Sequence, residues 1–392
     1  MIDSKENFSD SKNIISTLQN KRDFRLNQAY VPTWKHLGLN NFHIDNYKLP
    51  DIREYDADYM DFKAEDFRDV TIVPIKEAAS ENCLCKYSSF KDATSVSKDF
   101  VKLAEDGFNS GVFIKAPENR ILNSYVRLNF NLDKHNPTVV DHNIIIAEPN
   151  SKITLVVDYY TREKEINAFH DGLTKVFAKS GSQVNVVKIQ RMNDKSTHFD
   201  SNMAQVDEGA KVNWITIEIG SHINVTNYNS DLKGERSSSD IYSAYLVDGD
   251  RRQDLYYTAN HFGKKSVSNM VIEGVLKDKA RKVFKGNIDF KRGSSKSKGS
   301  QAEEVLLLDP TVKTDTIPML LCQEEDVDGQ HAASVGKIDE NQLFYLMSRG
   351  FDYGEAEKLV IEARFSPIFD KIPAEDLKKF LSEELKRRII NE

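Results

Sequence analysis

The 392-residue sequence predicts a mainly β fold with flanking helices: a β-solenoid core over residues 111–337, a mixed, largely helical domain at 1–110 and a helical domain at 338–392. Three observations point there. From Leu122 onward apolar residues alternate with polar ones at period two. A turn-and-strand pattern recurs at intervals of about thirty residues. No long helical pattern appears until about Asp339.

At the front, Ile14, Ile15 and Leu18 stand at helical spacing, so residues 13–20 are expected to form a helix. Pro32, Gly38 and Pro50 break that pattern, and 29–61 reads as loop with short elements. Ser97 can cap a helix that carries Phe100, Val101, Leu103 and Ala104 and stops at Gly107. Leu122, Ser124, Val126, Leu128, Phe130 and Leu132 then alternate with polar residues, as in a strand with one buried face. Asn150-Ser-Lys-Ile-Thr-Leu-Val-Val, Gly181-Ser-Gln-Val-Asn-Val-Val and Gly209-Ala-Lys-Val-Asn-Trp-Ile share one order. It is a turn residue, a small residue, Lys or Gln, a β-branched residue, Thr or Asn, then apolar residues. The spacings are 31 and 28 residues. Short strands repeating at that length, without a helix, fit stacked coils with one long core. A large β-sandwich would also alternate; the repeat is what favours the solenoid.

The end reads as three helices. Asp339 and Gln342 have capping-box form, Leu343, Phe344, Leu346 and Met347 give an apolar face, and Gly350 is a stop. Asp352 and Glu355 cap a second helix through Leu359, Val360 and Ala363, ended by Ser366-Pro367. Pro373 suits the first turn of a third, with Leu377, Phe380, Leu381 and Leu385 on one stripe and the pairs Glu383–Arg387 and Glu384–Arg388 in the favourable i,i+4 order. Such helices can cap a solenoid or present a face to another protein.

Composition narrows the function. Hydrophobic residues make up 39% and charged residues 29%, as in a globular chain. Lys and Arg number 54 against 61 Asp and Glu, a net charge of −7, which argues against dedicated nucleic-acid binding. No stretch approaches the roughly 18–20 apolar residues of a membrane span. The first twelve residues are polar with no apolar signal region, and three cysteines (Cys83, Cys85, Cys322) form no disulfide framework. A cytoplasmic location is expected. Cys83 and Cys85 read as thiols of a partly buried strand. The phosphate cradle, the nucleophile elbow, H-E-x-x-H and the dinucleotide fingerprint are all missing from the sequence, so an enzyme acting alone is unsupported.

Three polar features remain. Residues 277–298 hold nine Lys or Arg against Asp278 and Asp289. They read as an anion or nucleic-acid surface or, more simply, as a solvated strand and loop. His142, His170 and His198 recur every 28 residues. They could stack into a metal site, but surface histidines in coincidence explain them better, since no carboxylate or thiol recurs with them. His331 follows the acidic residues Glu324, Glu325, Asp326 and Asp328, which would favour an imidazolium or a metal ion such as iron. A hydrogen-bonded turn histidine would fit the spacing as well.

Around His331 the sequence resembles a known family. Asp326-Val-Asp-Gly-Gln-His-Ala-Ala-Ser-Val-Gly-Lys-Ile-Asp-Glu-Asn-Gln-Leu-Phe-Tyr-Leu-Met-Ser-Arg-Gly350 is similar to the signature of the SufB/SufD iron–sulfur cluster assembly proteins. Ala280-Arg-Lys-Val-Phe-Lys-Gly-Asn-Ile288, Glu304-Val-Leu-Leu-Leu308 and Pro318 keep the family's order, and the strong match covers 255–373. The resemblance implies a right-handed parallel β-helix between helical domains. It implies a non-catalytic scaffold subunit working with a SufB-like protein, paired through the β-helix, and with a SufC-like ABC ATPase. That ATPase would dock on the C-terminal helices, at Leu343, Phe344, Tyr345, Arg349, Gly350, Leu359, Phe365 and Pro367, and supply ATP hydrolysis. Nucleic acid and membrane are not expected partners; an isolated chain could form a homodimer. His331 matches the histidine implicated in cluster assembly at the SufB interface, a candidate iron or cluster ligand, and Cys322 is a second candidate. Any iron–sulfur cluster would be transient, built in the complex, with none permanently bound.

SufD is the nearer of the two. Gln330 and Ala332 flank His331 where SufB has acidic residues, and no cysteine lies between Cys85 and Cys322, where SufB carries an essential one. Gly329 stands where many SufD proteins have a cysteine, so no thiolate comes from that position. A SufB-like paralogue is the alternative within the family; a β-helix carbohydrate-active enzyme, with paired carboxylates in a groove, is the alternative outside it.

Overall fold

A computed structural model describes residues 50–80, Tyr87, Phe90 and 93–390. The helix expected at 13–20, most of the loop at 29–61, and Cys83 and Cys85 lie outside the described residues. The strands are β1 (Met60–Asp61), β2 (Thr71–Pro74), β3 (Val112–Ala116), β4 (Val126–Asn131), β5 (Thr138–Ala147), β6 (Lys152–Tyr160), β7 (Phe169–Ala178), β8 (Gln183–Arg191), β9 (Thr197–Val206), β10 (Lys211–Glu218), β11 (Ile223–Leu232), β12 (Ser238–Val247), β13 (Arg252–His261), β14 (Val267–Leu276), β15 (Arg281–Phe290), β16 (Ser297–Leu307), β17 (Lys313–Cys322) and β18 (Val327–Gly336). The helices are α1 (Ile75–Ser80), α2 (Lys98–Asp106), α3 (Glu340–Ser348), α4 (Tyr353–Phe369) and α5 (Glu375–Ile390).

The strands form two nine-stranded sheets, one in the order β1-β4-β6-β8-β10-β12-β14-β16-β18 and the other β17-β15-β13-β11-β9-β7-β5-β3-β2. From β3 to β18 every pairing is parallel, and the chain alternates between the sheets: a β-solenoid of about eight turns. At the front, β1 and β2 pair antiparallel to β4 and β3 and close the first edges.

The sequence repeat is the coil itself. Lys152, Gln183 and Lys211 are register partners. The turn residue ahead of each takes a positive φ, and the series runs on through Asn119, Asn150, Gly181, Gly209, Arg236, Lys265 and Lys296. In each the backbone N–H donates to a carbonyl of the following coil, as Gly181 does to Glu208 and Arg236 to Lys264. The left-handed conformation turns the chain through one corner and aims a donor along the solenoid axis. The small residue after it packs into the corner: Ser151, Ser182, Ala210, Ser237, Ser266 and Ser297 are all buried. The β-branched residue that follows, Ile153, Val184 or Val212, enters the interior.

The solenoid interior is one apolar column, with Leu128, Val157, Trp214, Tyr257 and Phe284 among its members. Outside, Ser97 caps α2 through the Asp99 N–H and Gly107 ends it, as the sequence indicates. Its Phe100 stacks on Phe199 of the second sheet at 4.4 Å. The three C-terminal helices cover the first sheet, packing Ile361, Phe365, Leu377, Leu381 and Leu385 on Val187, Ile217 and Leu306. Each such side chain contributes about 1.5–3 kcal/mol on leaving water. With helices outside and a core inside, β5 and β7 are buried along their whole length.

Several local expectations give way. Helix α4 runs through Pro367 to Phe369, because buried Ile368 and Phe369 hold its last turn on the sheet. Pro373 stands two residues ahead of α5 rather than in its first turn. Arg387 pairs with Glu384, three residues back, while Arg388 turns inward to Asp248 at 2.7 Å; Glu383 lies 3.9 Å from Lys379. In α3 the apolar residues divide between two faces: Leu343 is buried and Leu346 packs beside it, while Phe344 and Met347 are exposed. The basic run is not simply a solvated surface. Lys282 lies 2.5 Å from Glu303 and Lys285 2.7 Å from Asp254, all four buried. The three histidines are buried too, not on the surface. His170 and His198 are register partners and stack at 4.4 Å, while His142 pairs with Leu173 and lies beside Phe108.

Candidate functional site

The last coil is where the sequence-marked residues stand. Strands β17 and β18 end their sheets, so among the described residues each leaves one edge unpaired. The burial that holds through β15 fails here: β17 is half-buried along most of its length and β18 is mostly exposed. Lys313 and Gln323 donate their N–H groups back to Ala280 and Phe290. Odd-numbered residues of β17 therefore face the previous coil, and Pro318 belongs to the set facing the open edge. Proline in a sheet is confined to such a position, where its missing N–H breaks no ladder bond. Leu321 and Val335 are 42% and 44% exposed at this end.

His331 is exposed in mid-β18, opposite Gln301. It shares a strand face with Gly329, where an added Cβ would lie 2.9 Å from Leu320 and 3.0 Å from Phe290. That face looks onto the open lumen of the coil. Gln301 beneath is buried with both amide atoms unpartnered. Cys322 is a free, exposed thiol at the end of β17, opposite Phe290. The coil thus brings His331 and Cys322 to one open end. It does not gather the acidic residues around His331. Glu324 accepts from the Gly293 N–H at 2.8 Å, which holds its carboxyl below the usual range, and Asp328 accepts from Gln330. Among the described residues no group of three His, Cys, Asp or Glu is placed to hold a metal ion.

The helical candidates divide by burial. Leu343 and Phe365 belong to the helix–sheet core and Leu359 is half-buried. Phe344, Tyr345, Arg349 and Pro367 are exposed, with the Arg349 guanidinium 5.2 Å from the Tyr345 ring; Gly350 turns the chain at a φ of 100°. Exposed Met347, Phe351 and Tyr353 enlarge this patch. Sequence reading missed the last two, although aromatics flanking a helix stop were the available signal.

A second set of functional-looking groups lies inside the solenoid. Asp141 contacts His170 at 2.5 Å and accepts from Tyr159, Lys188 donates to Asp200 at 2.7 Å, and Glu218 accepts from Thr216 and Asn224. Burial pushes Asp141 up to about 6 against the pull of Lys188, and Glu218 up to about 7. Burial likewise drives His170 down to about 3 and His198 well below its usual value. Walled in by both sheets, these groups meet no substrate. Asp141 and His170 tie neighbouring coils together, while Lys188–Asp200 and Glu218–Asn224 tie the two sheets within one coil.

The family model described as "SUF system FeS cluster assembly, SufBD core domain" matches residues 130–364, more than half of the chain and including His331. An iron–sulfur cluster assembly protein SufD of Bacillus subtilis is 28% identical over 282 residues, 72% of this chain and 64% of that protein. A SufBD family iron–sulfur cluster assembly protein of Mycobacterium leprae is 28% identical over 265 residues, 68% of this chain and 30% of the other. One of Staphylococcus saprophyticus is 24% identical over 268 residues, 68% and 58% respectively. The matches thus span less than two thirds of these relatives' length.

Proposed function

The chain belongs to the SufBD core family of SUF-system iron–sulfur cluster assembly proteins, most like SufD, and from that membership we propose that it is a scaffold subunit for cluster assembly. It pairs with a SufB-like protein through the last coil and receives a SufC-like ABC ATPase on the exposed aromatic patch of α3 and the start of α4. One observation supports this reading above the others: among the described residues, a solenoid closed at its front by β1 and β2 ends on two unpaired edges over a partly exposed core. A free edge pairs readily with another strand, and adding a partner's strands covers the apolar lumen at the same time.

The cluster is cargo. Iron and sulfide need several soft or imidazole ligands. This chain offers His331 and Cys322 at the open end, so the remaining thiolates come from the partner. ATP hydrolysis is the ATPase's part, transmitted through the helices. Replacing His331 removes an exposed side chain. In the co-expressed three-protein complex, His331→Ala is expected to leave assembly and the melting temperature unchanged while iron and acid-labile sulfide fall several-fold. Unchanged iron and sulfide would take His331 out of the mechanism; failure of the wild-type chains to form a complex would overturn the scaffold reading itself.

A further inference from the structure

A cavity of about 1060 Å³ lies between α5 and the corner where strands of the first sheet end. Eight basic and six acidic side chains line it, in a chain whose net charge is −7. At its floor four guanidinium groups share few carboxylates. Arg191 forks onto buried Asp158 with two bonds of 2.8 Å, and Arg127 approaches the same carboxylate at 3.7 Å. Arg251 and Arg388 share Asp248. Arg127 has one further partner, Asp376 of α5, at 2.6 Å.

The compensation is incomplete in position as well as in number. The Nε atoms of Arg127 and Arg251 are buried and make no hydrogen bond. Burial and the neighbouring charge of Arg388 press Arg251 down to about 10. Arg191 is held flat between Tyr160 and Phe380, at 4.4 and 4.2 Å from their ring centres. Arg388 is fully engaged, donating to the Ile219 and Leu246 carbonyls as well as to Asp248, but the forks of Arg191 and Arg251 carry more N–H donors than their bonds to Asp158 and Asp248 use. Fixed forks with donors left over suit a multiply charged oxyanion, and the space is enough for a small molecule.

We propose that this cavity binds a small, soluble anion of the diphosphate class, received by Arg191 and Arg251 with Arg127 and Arg388 beside them. The site is independent of the scaffold reading. Nothing at the last coil or on the aromatic patch contributes to it.

The test is calorimetric titration of the full chain with inorganic pyrophosphate at physiological ionic strength, with orthophosphate and citrate as parallel arms. Saturable one-site binding of pyrophosphate, stronger than either comparison anion, is expected. Arg251→Gln is expected to weaken it about tenfold, the loss of a charge-assisted contact. Asp194 lines the cavity at an exposed turn. Asp194→Asn removes a competing charge without touching the fold and is expected to tighten binding about twofold. If Arg251→Gln gives no cooperative melt, the Asp194→Asn comparison decides. Absence of saturable binding, equal or tighter binding of citrate or orthophosphate, or indifference to the folded variants would overturn the proposal.

Discussion

His142 sits on the outer side of β5, 4% exposed, beside Phe108, with neither ring nitrogen hydrogen-bonded. Burial, reinforced by Lys175, drives it down to about 3 from an ordinary 6.5. A folded value below the unfolded one means that the unfolded chain binds the extra proton. The neutral ring's contribution is whole above about pH 6.5 and drains away as pH falls toward 3. Buried carboxylates oppose it: Glu218, pushed up to about 7, loses stability as pH rises from its ordinary 4.5. Wild-type stability therefore mixes both signs, and a difference between variants isolates one. His142→Leu should gain about 2–3 kcal/mol relative to wild type between pH 8 and pH 4.5, read by urea denaturation at both. A difference that does not move with pH would show that His142 is not held neutral. Lys282 and Glu303 are a contrasting case. Tyr245 donates to Glu303 at 2.7 Å and Thr316 at 2.5 Å, so this buried pair is satisfied by hydrogen bonds as well as by charge.

The coil is the element, and its corner is the part the sequence displays. Asn150, Gly181 and Gly209 announced it because Asn and Gly take a left-handed backbone cheaply. Arg236, Lys265 and Lys296 occupy the same corner with side chains that give no such signal, so the repeat fades in the sequence while continuing in the backbone. Arg236 is exposed, and a Cβ in that conformation is strained. Arg236→Gly should raise stability by about 1 kcal/mol in thermal or chemical unfolding, whereas a lower stability would mean that the side chain matters more than the corner. The capped helices were legible for a similar reason: caps are local chemistry. The polar lane of Asp141, His170, Lys188 and Glu218 was not, because period-two reading assigns polar residues to the outside. Only the stacking of coils brings those four together. His331 became recognisable through its neighbours in sequence, while the arginine-lined cavity draws on residues from 127 to 388 and has no linear signature.

For the whole molecule the surface proposed for docking is the aromatic patch beyond the sheet. Phe344 is 75% exposed and takes no part in the helix–sheet core. Phe344→Asp should leave the isolated chain's melting temperature within a degree or two of wild type and abolish co-purification of the SufC-like ATPase. Full retention of the ATPase would move docking elsewhere. Removing α5 would be a poorer test, because Leu377, Leu381, Leu385 and Arg388 are built into the sheet's cover. That helix also has a mechanical consequence. Asp376 holds Arg127 of β4, and Arg388 holds Asp248 just beyond β12. Twelve residues of helix rise about 18 Å, and four strand spacings are about 19 Å, so helix and stack keep step. Fastened at both ends, α5 acts as a splint along five coils. A pull on that helix is then spread over those five coils instead of falling on one strand, and the coils beyond β12 lie outside the splint.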